Sequence, residues 1–254
     1  MATGSSLEDL NVNRLLRSLF ADDWVFKTGI GGILGAGSIV AGLYSFMCIP
    51  IVAALWALMI GYCLRCIRFK VLNPDCRLPD WNDWGDLFLS GITWMAFQTI
   101  VWTFVCGIAF GIIFFSGAYA VVAKTSVESN VEVILGCIIA SMILFKAAFL
   151  SAFVMVNFAI EENASAGFSY IKVAQRIWAE PQKYLSGFML AMGLQWGAII
   201  FPCLTIVGVF LIPSTYFVGQ ATSAAVLART WSTTPLTESE KAAAAAKRLK
   251  KTES

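Results

Sequence analysis

The sequence predicts an all-α, polytopic transmembrane helical bundle of about six spans, with interfacial amphipathic helices on the cytoplasmic side. Three observations predict it. Of the 254 residues, 58% are apolar and 13% charged, where soluble domains run nearer ~45–50% and ~25%. The apolar runs Thr28–Leu64 and Ser186–Ala228 are each long enough for two helices of about 20 residues. The basic residues gather in the segments between runs. Outer-membrane barrels would show alternating segments of roughly ten residues, and that pattern is absent.

The elements follow in order. Residues 1–27 are polar or amphipathic, so they read as a cytoplasmic N-terminal segment rather than a cleavable signal. Within it, Leu10–Phe20 groups Leu15, Leu16, Leu19 and Phe20 opposite Arg14 and Arg17. The membrane domain, 28–229, holds hairpins at 28–68, 90–158 and 184–229, with interfacial segments at 71–89 and 161–183. The spans are Thr28–Met47, Pro50–Ile67, one within Ser90–Ala123, Val131–Phe158, Tyr184–Leu204 and Gly208–Ala228. Pro50 suits the first turn of a new helix.

Leu78–Ser90 is expected to form an interfacial helix with Asp80 as its N-cap. Trp81, Trp84, Leu87 and Phe88 would line one face and Asp83 and Asp86 the other. Phe168–Ala179 places Phe168, Ile171, Ala174, Gln175 and Trp178 on one stripe, with Lys172 and Arg176 off it. Trp81, Trp84, Trp178 and Tyr184 are therefore expected as interfacial anchors, because Trp and Tyr favour headgroup depth. Residues 230–254 form a basic, alanine-rich tail, with Thr237 and Glu240 spaced as a capping box.

Charge sets the orientation. With six spans, one side collects 16 of the 18 basic residues, while Lys124 alone falls on the other and Lys146 lies inside span four. Positive loops stay cytoplasmic, so both termini are expected in the cytoplasm, with the chain in the inner membrane.

Three strings open the odd-numbered spans alike: Phe26-Lys27-Thr28-Gly29-Ile30, Phe88-Leu89-Ser90-Gly91-Ile92 and Tyr184-Leu185-Ser186-Gly187-Phe188. They suggest an internal repeat of three modules, each a juxtamembrane segment followed by a hairpin.

Little in the sequence offers catalysis. It has no histidine, which removes Ser-His-Asp and Cys-His nucleophiles and His-containing zinc sites. No enzyme, cofactor or metal is expected. The seven cysteines are scattered through apolar runs and read as small hydrophobes. Cys63 and Cys66 form a lone CxxC at a helix end, without the second pair that a metal site needs; lipidation of Cys66 is the weaker alternative. Asp80, Asp83 and Asp86 could offer oxygens to a hard cation, but the solvated face of an interfacial helix is the simpler reading.

Lys146 is the sharpest feature. It lies near mid-span, where a charge costs ~2.5–3.5 kcal/mol on insertion scales and marks a functional site by default. Gly136, Ala140, Ile143, Ala147 and Ser151 make a stripe suited to close helix packing, and Lys146 borders it. The charge is therefore expected to face the bundle interior, with Gln98 and Gln195 as polar partners in an intramembrane site.

The string Leu78-Pro79-Asp80-Trp81-Asn82-Asp83-Trp84-Gly85-Asp86-Leu87-Phe88 resembles the hallmark loop of a prokaryotic membrane family known as domain of unknown function 4013. Phe20-Ala21-Asp22-Asp23-Trp24 with Lys27 and Gly31-Gly32 is similar to that family's opening. Gly61-Tyr62 with Arg65 and Arg68 is similar to its second-span exit, and Phe158-Ala159-Ile160-Glu161-Glu162 leads to Phe168, Pro181 and Tyr184 as in its fourth-loop motif. The likeness runs from about Leu16 to Arg229. Glu180-Pro181 stands where Asn-Pro is usual, and the alanine-rich tail is extra. The resemblance implies a multi-span membrane protein and no activity. A scaffold that organises lipids or partner proteins is thus the leading expectation, with a small transporter or lipid-handling protein around Lys146 as the alternative. The expected partners are membrane lipids and other membrane proteins, not nucleic acid.

Overall fold

The computed structural model describes residues 23–44, 49–72, 77–123, 128–204 and 212–233. The amphipathic stretch Leu10–Phe20, Lys124 and the alanine-rich tail lie outside the described residues. Those described fold into helices α1 (Trp24–Tyr44), α2 (Ile49–Leu72), α3 (Trp84–Ala123), α4 (Glu128–Glu161), α5 (Tyr170–Ala179), α6 (Pro181–Cys203) and α7 (Ile212–Ser232). A 3-10 turn at Ala164–Phe168 joins α4 to α5.

Five helices, α1, α2, α3, α4 and α6, are long and apolar enough to cross a membrane. The sixth expected span, α7, has 21 residues but is not apolar enough to count among them. The reason is its position. α7 packs against α1, α2 and α6 and buries Thr222, Ser223 and Thr230. Their hydroxyls bond to backbone carbonyls, as in Ser223 Oγ to Ala191 O at 2.6 Å. A helix covered by neighbours can carry polar groups that a lipid-facing helix cannot.

α2 is the hub, packed against α1, α3, α4 and α7. Its second half is almost wholly buried, from Gly61 to Ile67. Two glycines permit this closeness. A Cβ on Gly61 would fall inside the backbone of Leu87, and one on Gly91 inside that of Ala57.

The loop segments depart from expectation. Leu78–Ser90 is not a separate interfacial helix. Residues 77–83 are non-helical and α3 starts only at Trp84, then runs unbroken for 40 residues. Pro79 disfavours helix at the residue before it, and the carbonyls of Leu78 and Pro79 are taken by side chains of α1 and α2. The 3-10 turn and α5 do form an amphipathic element, but its inner face is Val173, Arg176 and Ile177. Phe168, Ile171 and Trp178 point outward, with Ile171 and Trp178 both 79% exposed.

The three similar strings stand at the starts of α1, α3 and α6. Their glycines meet different surroundings: Gly29 faces open space, Gly91 the backbone of α2, and Gly187 Thr230.

Candidate functional site: a polar clamp at one end of the bundle

Among the described residues, a cluster of polar side chains gathers where α1 and α3 begin and α2 ends. Lys27, near the start of α1, donates from Nζ to Leu78 O at 2.7 Å and pairs with Asp80 at 2.7 Å. In return, Trp81 Nε1 donates to Lys27 O at 2.9 Å. On α2, Tyr62 donates its hydroxyl to Pro79 O at 2.9 Å, and its ring stacks on Trp81 with centroids 4.1 Å apart. One turn on, Arg65 donates to Asn82 O at 2.7 Å and pairs with Asp86 at 3.3 Å. The next turn brings Arg68 to Ala159 O at 3.0 Å and to Glu162 at 2.9 Å, tying α2 to the end of α4.

Lys27, Arg65, Arg68, Asp80, Asn82 and Asp86 line an open cleft of about 740 Å³ that also includes Asp23, Arg77 and Asp83. Asp23 and Asp83 take left-handed backbone angles, φ 66° and 51°, just ahead of α1 and α3. Such conformations persist only where surrounding structure imposes them. The hydrogen bond and charge of Lys27 hold the Asp80 carboxyl below its ordinary range. The acidic residues are thus not a bare solvated face, because Asp80 and Asp86 each anchor a cation. Among the described residues no group of three or more His, Cys, Asp or Glu could hold a metal ion.

A second clamp lies at the same end of the bundle. Arg176 of α5 is 2% exposed. It donates from Nε to Tyr184 Oη at 3.0 Å and from Nη2 to Trp231 O at 3.0 Å, with its guanidinium 4.1 Å from the Trp231 ring centre. Lys183 donates to Thr233 O at 2.8 Å. Two cations thus sit at the C-terminal end of α7, where the helix dipole favours positive charge.

The expected intramembrane site does not assemble. Lys146 is exposed on the outer face of α4, in an open groove lined by α4 side chains alone. Gln195 lies against α7, where it bonds to Tyr216 and its backbone meets Gly219. Gln98 is half-buried on α3, and its amide nitrogen has no hydrogen-bond partner among the described residues. The stripe through Gly136 and Ala140 does mark close packing, Gly136 meeting Ser116 of α3, but Lys146 points away from it. One residue on a helix is a rotation of about 100°, enough to carry a side chain from inside to outside.

The expected anchors divide. Trp178 is exposed, and Trp84 is 44% exposed. Trp81 is partly buried in the clamp, stacked between Tyr62 and Trp84. Tyr184 is fully buried against Phe153 and Trp231, so it is a core residue. Cys63 and Cys66 are buried in the core, 4% and 0% exposed, which leaves no access for lipidation.

The sequence reading missed the depth of Arg65 and Arg176. A signal existed for Arg65, in the Gly61-Tyr62 string followed by two arginines facing an acid-rich loop. None existed for Arg176, because periodicity defines two faces of a helix without saying which one meets the bundle.

This fold and clamp define a polytopic helical membrane protein whose polar chemistry is concentrated at one end. A family model described as Protein of unknown function (DUF4013) matches residues 42–212. The chain belongs to that family. No curated protein and no solved structure matches it.

Proposed function

We propose that the chain is a membrane scaffold in the cytoplasmic membrane, with both termini in the cytoplasm, that organises lipids or partner proteins through its outer faces. The observation that carries this reading is the filled interior. Tyr62, Phe153, Tyr184 and Phe217 are fully buried, and ring contacts run from Phe188 through Phe149 to Phe153 and on to Tyr184 and Trp231. The three cavities described lie at the clamp, on the outer face of α4 and between the far ends of α3 and α4. A transporter built around Lys146 needs a water-accessible path through the bundle to that residue, and none of these cavities provides one.

The orientation rests on the basic asymmetry. Lys27, Arg65, Arg68, Arg176 and Lys183 meet at the clamped end, and the clamped end is the cytoplasmic one. α5 then lies at headgroup depth with Phe168, Ile171 and Trp178 toward lipid. The three similar strings fit descent from one repeated hairpin module.

Two measurements test the proposal. Reporter fusions should place Gly4 and Ser254 in the cytoplasm and Lys124 outside. In proteoliposomes, a proton gradient should persist as in protein-free vesicles. A proton flux abolished by Lys146→Leu would overturn the scaffold reading in favour of transport.

A further inference from the structure

We propose that the outer face of α4, centred on Lys146, docks a partner transmembrane helix that presents a carboxylate at the same depth. This deepens the scaffold reading and rests on it. Lys146 is the middle residue of the apolar stretch Val131–Glu161. It lies 14 residues from Glu132 and 15 from Glu161, so about 21 and 22 Å from them at ~1.5 Å per residue, well beyond the reach of one side chain. It makes no hydrogen bond or ion pair among the described residues. Around it, Ile134, Ile138, Met142 and Phe145 are exposed and apolar, with Ser141 on the same face, and together they frame a groove of about 740 Å³.

A bare ammonium at this depth is costly, and the cost is relieved by an opposite charge or strong hydrogen-bond acceptor. The described helices supply no carboxylate at this depth. Asp and Glu are absent from α1, α2, α6 and α7, from α3 beyond its first turn, and from α4 between Glu132 and Glu161. A second copy in the same orientation brings the same distant acids, so charge complementarity selects a different chain. Asp or Glu within an apolar span is the chemistry that fits, and the flanking apolar groove supplies the packing surface.

The test uses the full chain in phosphatidylcholine vesicles, with p-benzoylphenylalanine in place of Met142. The probes are Leu/Ala transmembrane peptides of one length, each bearing a single central Glu, Gln or Leu. The Glu peptide is expected to crosslink at least about fivefold more than the Leu peptide, a difference of roughly 1 kcal/mol. Lys146→Leu should abolish the difference, and Lys146→Arg should retain it. Lys146 is exposed, so Lys146→Leu should leave the melting temperature in detergent unchanged. Equal crosslinking of the Glu and Leu peptides would overturn the proposal. So would a Glu preference that survives Lys146→Leu, or crosslinking to lipid only. The assay reads no flux, so its failure is distinct from failure of the scaffold reading.

Discussion

Tyr62 joins α2 to the loop ahead of α3 in two separable ways. Its hydroxyl satisfies Pro79 O, and its ring stacks on Trp81. Tyr62→Phe keeps the stacking and leaves a buried carbonyl short of one donor, at a cost of about 1 kcal/mol. Tyr62→Ala also loses the ring, and should cost about 3–5 kcal/mol. Thermal unfolding in detergent would rank the two; equal losses would show that the ring contributes nothing. The Asp80–Lys27 pair adds a pH dependence. Because the folded-state carboxyl titrates below its ordinary value, its stabilisation is present above that ordinary value and is lost as pH falls through the folded one. Asp80→Asn should therefore lose a small stabilisation at pH 7, match the parent at low pH and flatten the acid limb by that same amount, which is small because Asp80 is highly exposed and exposed ion pairs contribute little. At this scale the sequence showed the residue types but not their contacts. Lys27 and Asp80 are 53 positions apart, and no local pattern joins them.

Among the elements, α5 shows most clearly what periodicity can and cannot supply. Its amphipathic spacing is plain in the residues, yet both faces carry apolar side chains. Val173 and Ile177 face the bundle, while Ile171 and Trp178 face out. What decides between them is Arg176, which finds Tyr184 and the end of α7. Arg176→Met removes the donor to Tyr184 Oη and to Trp231 O, and should cost about 2–4 kcal/mol, taking each lost buried bond at roughly 1–2. Trp178→Ser should cost less than about 0.5 kcal/mol in detergent, as exposed substitutions do. Reversal of that order in thermal unfolding would mean that the opposite face packs. α7 carries a related lesson. Its small polar residues weaken the hydropathy signal because neighbouring helices, not lipid, surround it. The α3 boundary failed for another reason: the break ahead of Trp84 is imposed by long-range hydrogen bonds to Leu78 and Pro79, which no helix-start rule anticipates.

At the scale of the whole molecule, hydropathy and charge asymmetry made the membrane bundle legible before any contact was known. They do not fix the rotation of each helix, and that is where the expected Lys146 site failed. α3, with 40 residues, is about 60 Å long at ~1.5 Å per residue, twice the roughly 30 Å hydrocarbon core. The far ends of α3 and α4 keep broad apolar faces uncovered, including Phe110, Phe114, Ile134 and Ile138. In the proposed scaffold these uncovered faces are the surfaces that meet lipids or partners. The central claim is therefore that the face of α4 around Lys146 looks outward. A nitroxide attached through a genetically encoded keto side chain at Met142, in vesicles, tests this most directly. Its relaxation should be enhanced strongly by oxygen, which partitions into lipid, and scarcely by a water-soluble nickel chelate. Strong enhancement by the nickel chelate would place this face on a water-filled path and contradict the account.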